Sequence, residues 1–461
     1  MGQALVAIVM AAGKGTRMKS DRPKVLHELA GESLLGHVLH TLSGLPLTGT
    51  FVIVGHGADQ VRAALPAGVQ AVEQREQLGT GHAVDQVTPS LVGHDGDVLI
   101  LSGDVPLLSA ETLAAMHALH VREGAAVTML SAELPDPTGY GRVLRDANGR
   151  VIGIVEQKDA TPAQLAVREG NLGTYLAKWP LLREALANLT PNNAQGEYYL
   201  TDAIAHLAQA GHPVACHVTP DPLEGEGVNT RAQLARLQAA YQARTADRWM
   251  AAGVTFVSPA TTIVGPRVQL GRDTVLEPGT ILLGRTTVGE RCVIGAHSQL
   301  RDVTCADEVE ILCSYLTDAS IGEGTHVGPY AHLRQGAALG RKVRLGNFVE
   351  VKKSTLGDGA KAAHLAYLGD ATVGCDVNIG CGVITVNYDG TRKSRTIIED
   401  RAFVGSNSNL IAPVTVGEEG YVAAGSTITM DVPAGALAVG RGRQVNKDGW
   451  VAKRRQAAPQ A

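Results

Sequence analysis

IGEGTHVGPYAHLRQGAALGRKVRLGNFVEV, residues 321–351, carries a small aliphatic residue at every sixth position, from Ile321 and Val327 to Leu345 and Val351. Related blocks precede and follow it between about residues 263 and 428, and many of the aliphatic residues are followed directly by glycine. A period of six fits neither an α-helix, which repeats every ~3.6 residues, nor a long strand, which alternates every ~2. It is typical of very short strands joined by tight corners, where glycine is tolerated and one aliphatic side chain per strand enters a shared core. The stretch therefore predicts a parallel β-helix.

The composition indicates a globular protein with more than one domain. The chain has 461 residues, of which 44% are apolar and 19% charged, and this length exceeds one ordinary core. The formal net charge of −4 gives no overall basic field, which argues against nucleic acid as a partner. We interpret the basic residues 453–455 as a solvated end of the chain.

The six cysteines are scattered and form no C-x-x-C pair, so neither a zinc module nor a disulfide framework is predicted. Reduced thiols and a cytoplasmic location are expected. The apolar residues 4–12 lack the basic region and cleavage site of a secretory signal, and Val6 stands where a myristoylation motif has Ser or Thr. No run is long enough to span a bilayer, so no membrane partner is expected.

In the N-terminal half, short apolar runs alternate with segments that are compatible with helices. The runs cover residues 4–10, 51–54, 98–101 and 127–130, and the helical segments include residues 34–42 and 110–119. Continuous short apolar runs are typical of strands buried on both faces of a parallel sheet. The alternation predicts a doubly wound, Rossmann-like α/β domain with its site at the carboxyl ends of the strands.

The stretch AAGKGTR, residues 11–17, follows the first apolar run. Gly13 and Gly15 allow the backbone to approach an anion closely, and Lys14 and Arg17 add positive charge. The stretch matches neither a dinucleotide-binding fingerprint nor a P-loop, so an ordinary β-to-α turn remains an alternative. Lys24, which follows Pro23, is either a second phosphate contact or a solvated surface lysine.

Two further stretches could belong to the same site. A buried run ends in Ser102-Gly103-Asp104, and this carboxylate could either bind a divalent cation that bridges phosphates or cap a turn or helix. Gln74 and the stretch QLGTGH, residues 77–82, could read the edge of a base or form a turn. The residues alone leave these alternatives open.

Seven motifs in the same order carry a resemblance to a known family: AAGKGTRM, PK, QLGTGH, GDVP, DPTGYGR, NNAQGEYYLTD and EGVN. They resemble the sugar-phosphate nucleotidyltransferases, and among them the bifunctional N-acetylglucosamine-1-phosphate uridyltransferase/glucosamine-1-phosphate N-acetyltransferases, over nearly the whole chain. The chain departs mildly from the family pattern at Met10, where Leu is usual, and at Leu172.

The resemblance implies a set of residues that bind the nucleotide-sugar. The uridine nucleotide would be held by Met10, Ala11, Ala12, Gly13, Gln74, Gly79 and Thr80, with Lys24 on phosphate. The remaining contacts to the nucleotide-sugar would come from Ser102, Gly103, Gly141, Glu156 and Asn171. Asp104 and Asn229 would bind Mg²⁺. A sugar-1-phosphate oxygen would attack the α-phosphorus of UTP and displace pyrophosphate, which requires alignment and charge neutralisation rather than a protein nucleophile.

Residues 230–233, Thr-Arg-Ala-Gln, form a capping-box pattern and predict a helix that continues to Ala252, over roughly 30–35 Å. The helix has few apolar residues for its length, so we expect it to bridge two domains. The predicted division is a nucleotidyltransferase domain at 1–228, a linker helix at 229–252 and a β-helix acetyltransferase domain with a C-terminal tail at 253–461.

The six-residue register breaks between Leu356 and Val373 and again around residues 387–390, and polar residues cluster there. Such interruptions are where a site is grafted onto a scaffold. The resemblance continues through GNFVEVKK, HLAYLGD, NIG, NYDG and VGS, and implies that His364 is the general base of acetyl transfer. The acceptor substrate would be bound by Arg334, Lys352, Tyr367 and Asn378. Acetyl-CoA would be bound by Cys381, Asn387, Tyr388, Ser406, Ala424 and Arg441.

Two positions in this half depart from the family pattern. Cys381 stands where Ala is usual and could crowd the thioester or be oxidised, and Gln335 replaces a proline that follows Arg334. The resemblance also implies that the β-helix is left-handed and that the protein is a homotrimer with acetyl-transfer sites at subunit interfaces.

The resemblance therefore implies a bifunctional enzyme that makes UDP-N-acetylglucosamine, a precursor for peptidoglycan and cell wall biogenesis. Its substrates would be glucosamine-1-phosphate, acetyl-CoA, N-acetylglucosamine-1-phosphate and UTP, with Mg²⁺ as cofactor. In one alternative the β-helix is only a structural or regulatory module. A non-enzymatic scaffold would be expected to lose Asp104, Lys24 or Arg17, and all three are present. His326 and His332 could suggest a metal site, but a third ligand is not evident.

Overall fold

The computed structural model of the protein describes residues 4–457. The ends of the two predicted domains, residues 1–3 and 458–461, lie outside the described residues. The chain divides into two compact units, residues 1–244 and 245–461. The separate linker helix at 229–252 stays a prediction.

The first unit alternates strands and helices. Its strands, β1 to β11 in chain order, are Leu5–Ala11, Glu28–Leu29, Glu32–Ser33, Leu47–Val54, Val69–Glu73, Asp97–Ser102, Val127–Glu133, Arg142–Arg145, Val151–Val155, Glu169–Lys178 and Val214–Val218. Its helices, α1 to α7, are Leu34–Leu42, Ala58–Ala64, Thr80–Asp85, Ala110–Glu123, Pro162–Leu165, Trp179–Ala187 and Leu200–Gln209. The two helical segments and three of the four apolar runs predicted from the sequence lie within these elements, and the first run, residues 4–10, begins one residue before β1.

The main sheet of this unit has the order β11-β7-β10-β6-β1-β4-β5, and β8 pairs with β10 and β9. Strand β1 is parallel to both β4 and β6, whereas β10 is antiparallel to both β6 and β7. The predicted doubly wound α/β fold is confirmed, and β10 adds an antiparallel strand to it.

Successive side chains of β1 enter cores on opposite faces of the sheet. Val6 and Ile8 belong to one buried cluster, and Leu5, Ala7 and Val9 belong to another. A strand alternates its side chains between two faces, so a continuous apolar run requires that both faces be covered. Both faces of this sheet are covered, so a ligand would bind at the ends of its strands rather than on a face.

Helix α8, Arg231–Ala251, begins at the predicted capping box. The Thr230 backbone N–H donates to Gln233 Oε1 (3.0 Å), and the Gln233 N–H donates to Thr230 Oγ1 (3.2 Å). Within the first unit, Gln238 Oε1 accepts from the Ala30 N–H at 2.7 Å. Trp249, in the second unit, packs against the core of the β-helix.

The second unit is a parallel β-helix whose strands form three ladders. The first ladder contains Thr255–Phe256, Val275–Leu276, Val293–Ile294, Glu310–Ile311, His326–Val327, Arg344–Asn347, Lys361–His364, Asn378–Ile379, Phe403–Val404, Tyr421–Val422 and Leu437–Ala438. The second contains Ile263–Val264, Ile281–Leu283, His332–Arg334, Glu350–Lys352, Tyr367–Gly369, Ile384–Val386, Asn409–Ile411 and Thr427–Ile428. The third contains Gln269–Leu270, Thr287–Val288, Ala337–Leu339, Thr355–Leu356, Ala371–Val373, Thr396–Ile398 and Val414–Val416. Gln299–Cys305 and Tyr315–Ile321 turn a corner and pair in both the second and third ladders. A C-terminal helix, α9, covers Trp450–Ala457.

The six-residue series predicted from the sequence lies inside the coil. Ile321, Val327, Leu333, Leu345 and Val351 are all buried in one core. Leu276 and Ile294 pair in the first ladder and are 18 residues apart, which is three repeats of six. The fold of the second unit is the predicted parallel β-helix of hexapeptide repeats, consistent with a left-handed coil.

The glycines of the repeats have a different role from the one expected. A Cβ added at Gly346 would lie 1.8 Å from the carbonyl oxygen of Ala363, and one at Gly322 would lie 2.4 Å from Gly340 backbone atoms. Non-glycine residues such as Tyr330 and Phe348 take the left-handed conformation at corners, with φ of 62° and 58°. Gly346 and Gly322 are therefore needed for the close approach of successive coils rather than for turning the chain.

The second predicted break in the register is an insertion. Ile379 and Val404 pair in the first ladder although they are 25 residues apart, whereas Val404 and Val422 are 18 apart. Part of the extra length forms a small excursion in which Tyr388 bridges Lys393. Among residues 4–457, no helix has both the length and the apolarity that crossing a membrane requires.

Candidate active sites

In the first unit, the candidate residues meet at the carboxyl ends of β1 and β6. Met10 pairs with Ser102, the last residue of β6, and Ala11 is the last residue of β1. The Gly103 N–H donates to the Met10 carbonyl at 2.9 Å. A Cβ added at Gly103 would lie 3.3 Å from that same oxygen, so the close approach favours glycine. This is the edge of an α/β sheet at which ligands bind.

The glycine-rich loop lies against Lys24. Ala12 and Gly13 follow β1, and Gly15 takes the left-handed conformation with φ of 58°. A Cβ added at Gly15 would lie 2.6 Å from Lys24 Cβ, so the loop packs directly on the short 3₁₀ helix Lys24–Leu26. The sequence suggested both features separately, and the fold places them side by side.

Lys24, Asp104 and Asn229 converge, although they are far apart in the chain. Lys24 Nζ forms an ion pair with Asp104 Oδ2 and donates to Asn229 Oδ1 at 3.1 Å. The Lys24 and Asp104 side chains are 16% and 15% exposed. A carboxylate oxygen and an amide oxygen thus both contact one cationic group. Oxygen atoms of these two kinds are the ligands that a hard divalent cation prefers. These residues fit the predicted metal pair.

Gln74, Gly79 and Thr80 form a second part of this site. Gln74 is buried, and its Nε2 donates to the Gly79 carbonyl at 3.2 Å. Gly79 has a φ of 115°, and an added Cβ would lie 2.5 Å from the Tyr198 carbonyl oxygen. Thr80 Oγ1 accepts from the Leu200 N–H at 3.0 Å. The beginnings of α3 and α7 are thereby fixed to each other.

Gly141, Glu156 and Asn171 form a third part. The Asn171 N–H donates to the Gly141 carbonyl at 2.8 Å, and an added Cβ at Gly141 would lie 3.5 Å from Glu156 Oε1. Thr201 Oγ1 donates to Glu156 Oε1 at 3.1 Å. Burial raises the pKa of the Glu156 carboxyl, and the Thr201 hydrogen bond opposes that shift. Leu172, the departure beside Asn171, is buried in the core.

In the second unit, His364 lies beside Asn347 on the first ladder. Asn347 and His364 pair in register, and His364 Nδ1 is 2.9 Å from Asn347 Oδ1. A carboxamide oxygen can only accept, so Nδ1 carries the proton and the neutral ring keeps its lone pair on Nε2. Both side chains line a groove of about 950 Å³, which Asn378 and Lys361 also line.

Arg334, Lys352 and Tyr367 lie on the second ladder instead. Arg334 pairs with Lys352 in register, and Tyr367 pairs with Glu350. Arg334 Nε and Nη2 donate to Glu350 Oε1 at 2.9 and 2.5 Å. A single chain therefore distributes the predicted acceptor-binding residues over two faces of the coil.

The candidate acetyl-CoA residues stack in four successive coils. The carbonyls of Cys381 and Ser406 accept from the next coil, from the Asn407 and Gly425 N–H groups, at 2.7 and 2.8 Å. Arg441 Nη1 donates to the Ala424 carbonyl at 2.9 Å. We name Cys381, Ser406, Ala424 and Arg441 the C-terminal column.

Asn387 and Tyr388 lie at the start of the inserted excursion. Asn387 Nδ2 donates to Asp370 Oδ2, and the Tyr388 hydroxyl donates to the Gly390 carbonyl at 2.5 Å. Tyr388 is 55% exposed. The excursion therefore presents an aromatic side chain to solvent.

The remaining candidates of the sequence are also placed. His326 Nδ1 contacts Glu310 Oε2 at 2.6 Å on the first ladder, whereas His332 lies on the second ladder. Within the described range 4–457, no three His, Cys, Asp or Glu side chains form a group that could hold a metal ion. Gln335 takes the left-handed conformation at a corner, with φ of 53°, and Cys381 is a free, partly buried thiol.

Several residues with direct contacts to the candidates were missed in the sequence, among them Thr201, Asn347 and Tyr175. Thr201 contacts Glu156, Asn347 contacts His364, and the Tyr175 hydroxyl accepts from Asn171 Nδ2 at 2.6 Å. Thr201 and Asn347 stand inside motifs that carried the resemblance, so their position was a usable signal. Tyr175 stands outside every such motif.

Comparison with known proteins matches two parts of the chain to two different families. Residues 7–164 match the family described as MobA-like NTP transferase domain, and residues 395–430 match the hexapeptide repeat of succinyl-transferase. Nucleotidyl transfer is chemistry that typically depends on a metal ion.

Similar curated proteins match nearly the whole chain. The "Bifunctional protein GlmU" of Exiguobacterium sp. is 52% identical over 96% of this chain and 98% of its own length. The proteins of the same name from Alkaliphilus metalliredigens and Synechococcus elongatus are each 49% identical, over 98% and 97% of this chain and 98% of their own lengths. A solved UDP-glucose pyrophosphorylase in complex with UDP-glucose is 16% identical with a TM-score of 0.44, over 53% of this chain and 100% of that chain.

Proposed function

The chain belongs to the family of bifunctional GlmU proteins, and from that premise we propose that it makes UDP-N-acetylglucosamine in two steps. The second unit would transfer acetyl from acetyl-CoA to glucosamine-1-phosphate. The first unit would join the product, N-acetylglucosamine-1-phosphate, to UTP with release of pyrophosphate. The observation that carries the proposal is that each unit holds its own set of candidate residues. The first contains the cluster of Lys24, Asp104 and Asn229, and the second contains His364 with its ring oriented by Asn347.

For uridyl transfer, the residues of the first unit would align two phosphates and neutralise their charge. The Lys24 ammonium contacts Asp104 Oδ2 and Asn229 Oδ1. With a divalent cation bound to these two oxygens, the ammonium would be available to bind a phosphate group. Mg²⁺ held by Asp104 and Asn229 would supply further positive charge there. Glu156 and Asn171 would accept and donate hydrogen bonds to the sugar.

Gly103, Gln74, Gly79 and Thr80 would hold the nucleotide through backbone and amide groups. The ends of β1 and β6 lie beside them, so the nucleotide would lie along the edge of the sheet. Fixed dipoles of this kind stabilise developing charge without reorganising during the reaction.

For acetyl transfer, His364 would act as the general base. Its Nδ1–H donates to Asn347, which leaves Nε2 as the basic nitrogen. Nε2 would take a proton from the substrate amine as that amine attacks the thioester carbon. The amine nitrogen gains the acetyl carbon, the carbon–sulfur bond breaks, and CoA leaves as the thiolate. Arg334 and Lys352 would bind the sugar phosphate, Tyr367 and Asn378 the sugar, and the C-terminal column with Asn387 and Tyr388 the CoA.

A homotrimer is part of the proposal, because one chain distributes its acceptor-binding residues over two ladders. Tyr330, Phe348 and Leu365 form an exposed apolar corner beside His364, 58%, 55% and 57% exposed, and the first two rings stack at 5.5 Å. A second copy covering this corner would bury apolar surface and complete the site. Light scattering should give about three times the chain mass of 48.1 kDa. A monomer with full acetyltransferase activity would exclude this arrangement.

We also propose a cytoplasmic location. All six cysteines are free thiols in the structure, and UTP and acetyl-CoA are cytoplasmic metabolites. Cell fractionation with an antibody against the chain tests this, and recovery outside the cytoplasmic fraction would contradict it.

The test of function uses purified protein with glucosamine-1-phosphate, acetyl-CoA, UTP and Mg²⁺, with free CoA and pyrophosphate followed separately. His364→Ala should lower CoA release by at least ~10²-fold, the usual contribution of a general base, and leave uridyl transfer from supplied N-acetylglucosamine-1-phosphate intact. Asp104→Ala should do the reverse. Pyrophosphate without CoA release in the wild type would favour the alternative, in which the β-helix is only structural or regulatory.

A further inference from the structure

Strand β10 carries a large bulge directly after Asn171. Asn171 pairs with Ser131 of β7 and Tyr175 pairs with Met129, so three residues on β10 stand opposite one on β7. Gly173, inside the bulge, takes the left-handed conformation with φ of 72°. Bulges of this kind redirect side chains and are common beside functional sites.

The bulge brings together two side chains that a regular strand would keep apart. Residues four apart in an extended strand are separated by roughly 13 Å, at ~3.3 Å per residue. Here Asn171 Nδ2 donates to the Tyr175 hydroxyl oxygen at 2.6 Å, and the Gly173 N–H donates to Asn171 Oδ1 at 3.2 Å. The orientation of the carboxamide is therefore fixed from both sides.

Two hydrogen-bonding positions of the Asn171 carboxamide have no partner within residues 4–457. A carboxamide has two N–H donors and two acceptor lone pairs, and Tyr175 and Gly173 occupy one of each. The free donor and the free acceptor match an amide, which also presents one carbonyl and one N–H. The acetamido group of an N-acetylated sugar is such an amide.

The position of Tyr175 is held firmly. Its side chain is 3% exposed, and burial raises the pKa of its hydroxyl, which keeps it neutral. Leu172, in the bulge, is buried, and an added Cβ at Gly225 would lie 2.4 Å from Leu172 Cβ. The bulge therefore cannot straighten without unpacking this core contact.

We propose that Tyr175 is a positioning residue for uridyl transfer, whose hydroxyl holds the Asn171 carboxamide in the orientation that selects the acetamido group of N-acetylglucosamine-1-phosphate. This inference rests on the proposed function of the first unit. Tyr175 does not itself contact the sugar in this proposal, so its removal should weaken the binding of the sugar phosphate rather than the chemistry of phosphoryl transfer.

The experiment compares Tyr175→Phe with wild type in uridyl transfer. The variant keeps the ring and removes the hydroxyl, leaving a buried Asn171 N–H without its acceptor. We expect the KM for N-acetylglucosamine-1-phosphate to rise about tenfold, which corresponds to ~1.4 kcal/mol. The KM for UTP, kcat and acetyl transfer should change less than about twofold, within the usual scatter of a neutral substitution.

Tyr199→Phe is the matched control. Tyr199 is also buried, at 6% exposure, but its hydroxyl has no hydrogen-bond partner among residues 4–457. Its removal should leave the KM for the sugar phosphate unchanged. An equal rise of KM in both variants would show a general effect of losing a buried hydroxyl and would overturn the proposal.

A second comparison separates positioning from packing. In the background of Asn171→Ala, Tyr175→Phe should have no further effect on the KM for the sugar phosphate, because the two residues act as a unit. A full additive effect would refute the positioning role. Wild-type protein without uridyl transfer would refute the proposed function itself, whereas an active wild type with an unchanged KM in Tyr175→Phe would refute this inference alone.

Discussion

Replacing Asn347 tests whether the orientation of His364 matters for acetyl transfer. Asn347 Oδ1 lies 2.9 Å from His364 Nδ1, and the pair lines a groove that is open to solvent. A hydrogen bond of this kind contributes about 0.5–1.5 kcal/mol net. If the bond holds His364 in the orientation that the transition state requires, its loss adds about this much to the barrier, which corresponds to a roughly two- to twelvefold fall in rate.

Asn347→Ala should therefore lower kcat of acetyl transfer by about two- to twelvefold, well short of the ~10²-fold or greater loss expected for His364→Ala. The assay is CoA release at saturating acetyl-CoA, and uridyl transfer by the same preparation serves as the internal control. A loss as large as that of His364→Ala would mean that Asn347 takes part in the chemistry directly. An unchanged kcat would mean that the bond does not orient the base.

Asn347→Asp sharpens this test. The carboxylate keeps an acceptor for the His364 Nδ1–H, so the ring should keep its orientation. The fall in kcat of acetyl transfer should therefore be smaller in Asn347→Asp than in Asn347→Ala. Equal losses in the two variants would refute the reasoning, because they would show that an acceptor at this position does not orient the base.

Two further predictions concern packing and charge. In Gly346→Ala, the added Cβ would lie 1.8 Å from the Ala363 carbonyl oxygen, so the variant should lose about 1–3 kcal/mol of unfolding free energy, measured by denaturant titration. Gly44→Ala is the control, because the atom nearest to its added Cβ is 3.7 Å away. Equal stability of the two variants would contradict the close approach of the coils. Burial raises the pKa of Glu156, so its stability contribution is present below the ordinary pKa of a glutamate and is lost as the pH rises through the folded value. Glu156→Gln should therefore unfold at a higher temperature than wild type at pH 8, with a difference that shrinks toward pH 4 in calorimetry; a less stable variant at pH 8 would contradict this.

The sequence predicted the architecture because the repeat is local. The six-residue spacing of Ile321 and Val327 alone predicts that both side chains enter one core, because each coil packs its aliphatic side chains in the same way. The role of Gly346 was less accessible, because the reason for glycine lies in the neighbouring coil, at Ala363, and not in its own turn.

Contacts between distant residues were only partly predictable. Lys24 and Asn229 meet although they are 205 residues apart, and the resemblance rather than any pattern indicated both. Tyr175 could not be found at all, because its contact with Asn171 depends on the shifted register between β10 and β7. In a regular strand, the rise of ~3.3 Å per residue places two residues four apart roughly 13 Å from each other, so no contact between them is predicted.

The C-terminal column has a consequence for the length of the molecule that we propose it binds. Its four members occupy successive coils, and neighbouring parallel strands lie about 4.8 Å apart, so the column spans roughly 14 Å. If the column binds acetyl-CoA as proposed, its length would limit how far the bound molecule can extend from the reacting thioester. Deleting one 18-residue coil, such as residues 405–422, would shorten the C-terminal column by about 4.8 Å while keeping the ladders in register. The number of coils thereby sets the length of the proposed binding surface in fixed steps, without a change at His364.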